Sequence, residues 1–305
     1  MARFGPPVAV HAVELLGGGA HRIMQRVDID IGGEARQWVL CRVPAGATGL
    51  DPQVEHDLLL VMAAIGVPVP AVRFALTADD GLGAGYVMDL VEGETIARRI
   101  LRDERFAAVR PRLAQQCGEI LARIHTIAIE DVPGLESYDV LADIEGIVHA
   151  FDDPSPALEL GLRWLFANRP AAGPEVVLHG DFRNGNLIVG DDGIRAVLDW
   201  ERVHCGDPMQ DLGYLCVRAW RFGGDEPVGG FGSYEDLFAG YERVSGKPVD
   251  LEAVRWWEVF GTVWWGGACM LQAWRHLSGG ERSVELAAIG RRVWEQEYDV
   301  LLALA

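Results

Sequence analysis

Between Leu178 and Trp200 the chain reads LHGDFRNGNLIVGDDGIRAVLDW, and four polar side chains, His179, Asp181, Asn186 and Asp199, fall within it. A His, an Asp two residues on and an Asn five residues after that have the spacing of an H-x-D-x-x-x-x-N loop. In such loops the carboxylate accepts the proton of an attacking hydroxyl and the amide holds a magnesium ion. Asp199 falls where a second metal-holding carboxylate is needed. Glu201, two residues further and on the same side of an extended segment, can reach the ion through water. The chemistry open to this set is in-line phosphoryl transfer to an alcohol, which needs charge neutralised on the phosphates and somewhere for the hydroxyl proton to go. Asp181 is the candidate base, and Asn186 and Asp199 are candidate Mg²⁺ ligands. His179 reads as a brace for the loop. Arg183 is either a γ-phosphate contact or a solvent-facing arginine.

Two β-rich runs, LIVG and IRAVLDW, flank an Asp-Asp-Gly turn, and a hairpin there returns Asp199 to the side of Asn186. HGDFRNGN, LDWE and GDPMQDLGYL resemble the signature segments of the aminoglycoside phosphotransferase-like family, small-molecule kinases with a protein-kinase-like fold. The resemblance extends over nearly the whole chain, is strongest from Val177 to Leu215, and is weakest at the amino terminus. Within the family the chain is similar to the bacterial branch related to kinase-like domains fused to acyl-CoA dehydrogenases. What the resemblance implies is an α+β, bilobal fold: a small antiparallel-sheet lobe over residues 1–92, a helical lobe over 93–305, and Mg-ATP bound between them.

Upstream, residues 13–43 alternate strand-like runs with turns, the pattern of an antiparallel meander. Gly18 and Gly19 sit where a kinase-like fold lays a loop over the nucleotide phosphates, glycine letting backbone N–H groups approach the oxygens; a triple-glycine turn is otherwise only a turn. The third strand should carry a cation for the α- and β-phosphates, a lysine in protein kinases. VLCRV offers Arg42, while the register closest to related sequences puts Cys41 there, and strand alternation sends the two to opposite faces. Asp51-Pro52 starts a helix that runs to Ile65 and stops at Gly66. Glu55, in its first turns, lies where the family has the acid that pairs with the strand cation; a helix dipole favours a Glu there in any case. VPVPAVRFAL and AGYVMDLVEG read as two more strands, with Met88, Asp89 and Val91 in a hinge whose backbone can pair with adenine.

From Thr95 onward the period becomes helical. RLAQQCGEILARIH places Leu113, Cys117, Ile120, Leu121 and Ile124 on one face, and His125, which ends it, reads as structural. A further helix is expected near 157–168. Asp207-Pro208 repeats the helix-start pattern, which makes Asp207 a cap; the family resemblance implies that this segment, with Asp211 one turn inward, buttresses the catalytic loop. Residues 220–235, rich in glycine, are either an active-site flap or a connection. LEAVRWWEVFGTVWWGGACMLQAWRHL is apolar all round, a buried helix approached closely at Gly266-Gly267, or one wall of an acceptor pocket.

Half of the 305 residues are hydrophobic, enough for a large core, and no apolar run or leader-like amino terminus points to membrane or export, so a cytoplasmic protein is expected. Cys41, Cys117, Cys205, Cys216 and Cys269 form no CxxC pair and read as reduced. A net charge of -18 disfavours nucleic acid and anionic membranes; it suits a cationic acceptor, or is simply a solvated surface. The reading is an ATP-dependent, Mg²⁺-dependent kinase of a small-molecule hydroxyl, with GTP possible as donor. Aminoglycoside, amino alcohol, sugar or hydroxyacyl-CoA acceptors and the oligomeric state stay open. Two other classes remain. His179, Asp181, Asp199, Glu201, His204, Asp207 and Asp211 contain enough ligands for a two-metal phosphoesterase, and the missing strand lysine would suit a nucleotide-binding protein without catalysis.

Overall fold

Alternation of side chains along Ile23–Ile31 (β2) and Glu34–Arg42 (β3) builds a hairpin closed by Gly32 and Gly33, both at positive φ (64° and 93°), as a tight two-residue turn requires. The computed structural model describes residues 7–17, 22–44, 50–132, 134–135, 137, 139–152 and 154–305. Gly18 and Gly19, expected at the phosphates, lie outside the described residues. Val8–Leu15 (β1) pairs with β2, and Val72–Ala75 (β4) and Gly85–Asp89 (β5) complete a five-stranded antiparallel sheet in the order β1-β2-β3-β5-β4. Between β3 and β4 runs Pro52–Ala64 (α1), whose Asp51 cap accepts the Gln53 N–H at 2.8 Å. It packs on β4 and β5. Leu58, Leu59 and Met62 of α1 join Val39, Cys41, Tyr86 and Met88 in the core.

The helical half follows: Ala97–Arg102 (α2), Leu113–Ile124 (α3), Val140–Val148 (α4) and Pro156–Ala167 (α5). The expected face of α3, Leu113, Cys117, Ile120, Leu121 and Ile124, is buried throughout. Four short strands come next. Val176–Leu178 (β6) pairs with His204–Gly206 (β9), and Leu187–Gly190 (β7) forms the expected hairpin with Gly193–Val197 (β8). Met209–Cys216 (α6), Tyr234–Ser245 (α7), Leu251–Leu277 (α8), Val284–Gly290 (α9) and Val293–Leu304 (α10) end the chain.

Helices α3 and α7 meet backbone to backbone: a Cβ at Gly118 would stand 2.1 Å from the Leu237 carbonyl, and one at Gly240 would stand 2.2 Å from that of Gln115. Gly266 and Gly267 of α8 instead make room for side chains, those of Leu158 of α5 and Ile147 of α4. Trp256 and Trp257 are buried while Trp274 is exposed, and the buried side of α8 runs from Ala253 to Met270 before the helix emerges at the surface. Among the described residues no helix is long and apolar enough to cross a membrane.

Candidate active site

The loop after β6 is shaped by Gly180, at φ 77°; a Cβ there would lie 2.3 Å from the Arg202 carbonyl and 2.9 Å from His204 Nδ1. Gly180→Ala therefore combines a strained backbone with a clash. We expect a loss of about 3 kcal/mol or more in urea denaturation; an unchanged midpoint would mean the loop can take another path. Next to it the Asp181 N–H donates to His179 Nδ1 (3.2 Å) and His179 Nε2–H donates to the Leu198 carbonyl (3.0 Å). Burial lowers the His179 pKa below its ordinary value, so the ring is neutral with its proton on Nε2, and it ties the loop to the strand end before Asp199.

Beneath the loop, Asp211 of α6 is fully buried and accepts the N–H of His179 on one oxygen (2.8 Å) and that of Gly180 on the other (2.9 Å). His125 Nε2 stands 3.3 Å from it, and His125 Nδ1 meets the Tyr241 hydroxyl at 3.0 Å. Burial opposes the Asp211 charge, yet the His125 bond and neighbouring charge hold its carboxyl below the usual range. Asp207 accepts the Met209 N–H (2.9 Å) and Trp257 Nε1–H (3.1 Å), and His204 meets the Arg202 carbonyl and Gln210. These side chains are engaged in holding the fold. Among the described residues, moreover, no three His, Cys, Asp or Glu side chains form a group that could hold a metal, so the two-metal set is not assembled.

Asp181 has its Oδ2 bonded to Asn186 Nδ2 (2.7 Å), and Arg183 Nε lies 3.2–3.3 Å from both carboxylate oxygens. Asn186 Nδ2 also donates to the Asp181 carbonyl (2.9 Å), which fixes the amide and turns its oxygen away from Asp181. The Leu198 N–H donates to the Asn186 carbonyl (2.8 Å), so the β8 end lies against the loop. Asp199, at φ 66°, is one of two non-glycine residues at positive φ among those described; such a conformation costs about 1 kcal/mol or more and re-aims the side chain. Its pKa is pushed up to about 7 by burial, then by Glu201 and Asp181, with Arg183 opposing and Glu55 adding. Asp199 and Glu201, which feel each other's charge, and the Asn186 side-chain amide offer oxygen donors of the kind a hard divalent cation takes. The residues present thus fit magnesium.

Toward the sheet, Glu55 is buried: its Oε1 accepts the Tyr86 hydroxyl (2.9 Å) and its Oε2 lies 2.7 Å from Arg22 Nη2. Arg42 does not make this pair. The β2–β3 register sets Met24 opposite Cys41 and Ile23 opposite Arg42, so alternation puts Cys41 on the buried face and Arg42 on the other, where its Nη2 donates to Gln25 (2.8 Å). Asp89 lies at the end of β5, in the expected hinge. Its side chain turns outward to Arg73 and its N–H is used by the Ala71 carbonyl, while the Leu90 N–H is used by Gln37. Met88 pairs with Val39 inside the sheet, and Val91 lies just beyond β5.

Comparison with known proteins reaches the same region. The phosphotransferase enzyme family (APH) matches residues 15–255, most of the chain and all of the site above. The chain belongs to the phosphotransferase enzyme family. A curated relative, acyl-CoA dehydrogenase family member 10 of Mus musculus, is 28% identical over 203 residues, 60% of this chain and 18% of that protein. The phosphotransferase-family chain therefore spans under a fifth of that relative's length. Among solved structures, a Ralstonia eutropha JMP134 protein given an aminoglycoside phosphotransferase designation superposes with a TM-score of 0.77 at 20% identity, covering 99% of this chain and 93% of that one. A spectinomycin phosphotransferase in complex with ADP and spectinomycin superposes at 0.64 with 14% identity, covering 97% and 93%. At these identities the superpositions establish the shared kinase-like fold.

Sequence reasoning passed over several residues around this phosphotransferase-family site. Tyr214 is buried beside Asp181; burial and then the Asp181 charge push its hydroxyl well above an ordinary phenol. Trp220 lies under the Arg183 guanidinium at 4.9 Å, and Trp264 under Arg202 at 3.9 Å. Asn184, buried within HGDFRNGN, donates to the Gly229 carbonyl at 2.6 Å. The Gly229 N–H is bonded to the Leu215 carbonyl and Val228 and Phe231 are buried, so this part of the glycine-rich segment packs against the helical half. Counting outward from the Gly32-Gly33 turn would have put Arg22 on the same face as Cys41, the one signal by which it was findable.

Proposed function

We propose that the chain is a kinase that moves the γ-phosphoryl group of ATP to a hydroxyl of a small molecule, with Asp181 as the base. One observation carries the reading: the Asp181 carboxylate is held by Asn186 and Arg183 at the end of a loop that the strand leading to Asp199 closes. In this reading Asp181 orients the acceptor hydroxyl and takes its proton as the O–P bond forms. Asn186 keeps Asp181 in place through Nδ2, while its amide oxygen and Asp199 would hold Mg²⁺, with Glu201 reaching it through water. Magnesium, when bound, supplies charge neutralisation on the phosphates. Arg183 steers Asp181 and offers a cation near the transferred group. His179 holds the loop, and Val91 is the candidate backbone contact for the base. The ADP held by the spectinomycin phosphotransferase supports a nucleotide donor, and its spectinomycin a small-molecule acceptor. The dehydrogenase chemistry named for the mouse relative is not carried over, since the match covers 18% of that protein.

Calorimetric titration with ATP and with GTP, each with and without Mg²⁺, tests the reading and chooses the donor. Magnesium-dependent binding of either justifies an ADP- or GDP-release screen over pooled alcohols; binding of neither overturns the kinase reading.

Asp199 gives a pH dependence. A carboxyl raised to about 7 in the folded chain from an ordinary 3.8 keeps its proton on folding, so the cation-free protein loses stability as pH rises from about 4 to about 7. Added Mg²⁺ should raise the melting temperature more at pH 8 than at pH 5.5, and Asp199→Asn should remove that difference. An equal Mg²⁺ response in the variant would take Asp199 off the metal.

A further inference from the structure

The kinase reading needs a cation for the α- and β-phosphates, and the third strand does not provide one. Cys41 holds the inward position on β3, and burial, with Glu55 adding, pushes its thiol up to about 12, so it is uncharged. Arg42 is on the opposite face with Gln25. The sole lysine of the chain, Lys247, lies between α7 and α8.

Arg22 stands immediately before β2 and shares a face with Met24 and Cys41. Its Nη2 is 2.7 Å from Glu55 Oε2 and donates to the Leu50 carbonyl at 3.1 Å. The two side chains are 10% and 6% exposed, so this is a nearly buried ion pair, an arrangement whose desolvation cost makes it weak as a stability device. Both contacts use Nη2, and Arg22 Nε is buried with no hydrogen-bond partner. A guanidinium has five donors in a planar fork suited to phosphate oxygens. The neighbourhood also abuts the proposed metal ligands, since the charges of Asp199 and Glu201 are felt at Cys41 and Glu55.

We propose that Arg22 is the cation that meets the nucleotide α- and β-phosphates, positioned by Glu55, the charge having moved from the third strand to the start of the second. The inference rests on the kinase reading. Its test is calorimetric titration of the full chain with Mg-ADP and, separately, with adenosine, which lacks phosphates. Arg22→Gln should weaken ADP by about 10- to 100-fold and leave adenosine within about twofold. Arg42→Gln should change neither. Cys41→Lys added to Arg22→Gln should restore most of the ADP affinity by returning a cation to β3.

Failure of the wild-type chain to bind ADP overturns the kinase reading itself. Wild-type binding with unchanged ADP affinity in Arg22→Gln, or equal losses of ADP and adenosine, overturns the role of Arg22 alone. Should Arg22→Gln not fold, the wild-type chain still decides. The arginine Nε–H resonance that is missing from the spectrum of Arg22→Lys must move on adding ADP and stay still with adenosine; an unmoved resonance overturns the proposal.

Discussion

Asp181→Asn is expected to lower phosphoryl transfer by about 10²- to 10⁴-fold while Mg-nucleotide affinity stays within about twofold. The substitution keeps the shape of the side chain and removes the site that takes the proton. The loop should survive it, because its path is fixed by contacts the carboxylate does not make: Asn186 Nδ2 to the Asp181 carbonyl, the Asp181 N–H to His179, and Asp211 below. Tyr214, although adjacent, cannot stand in as base, for its hydroxyl is held well above the ordinary phenol value and keeps its proton. Single-turnover transfer to an acceptor from the pooled-alcohol screen, alongside nucleotide titration, separates the two effects. A variant that turns over at near the wild-type rate would remove Asp181 from the base role.

Asp211→Ala should cost about 3 to 5 kcal/mol of stability, read as a lowered urea midpoint. The change strands two buried backbone donors, those of His179 and Gly180, and deprives His125 of its carboxylate. Because the folded-state pKa of Asp211 is depressed, its contribution is present above the ordinary carboxylate value of about 4 and fades as pH falls through the lower folded value. The advantage of wild type over Asp211→Asn should therefore be full at neutral pH and shrink below about pH 4. A gap of the same size at pH 3 and pH 7 would mean that the charge of Asp211 contributes nothing.

Local signals were the legible ones. Asp181 and Asn186 meet because the four loop residues between them return the chain on itself, and α1 was bounded by Asp51-Pro52 and Gly66, each acting on its immediate neighbours. Cys41 and Arg42 were legible only as a choice: alternation separates two neighbours without saying which face α1 will cover. The partner of Glu55 was missed because it comes from another strand, and pairing across a sheet depends on register. The ion pair of Asp89 with Arg73 likewise joins two strands, and nothing local to either residue announces it. Glycine content left residues 220–235 open between a flap and a connection, because the bond from Asn184 and the burial of Val228 and Phe231 are tertiary facts. Tyr214 lies within GDPMQDLGYL, yet nothing local says that it will pack beside Asp181, and Trp220 carries no motif.

The node at Asp211 joins distant parts of the chain. His125 and Asp211 are 86 residues apart in the chain, and His125 and Tyr241 are 116 apart. Links between such distant segments close only after chain entropy has been overcome by the elements between them. The support beneath the Asp181 loop thus rests on contacts that only the assembled helical half can make.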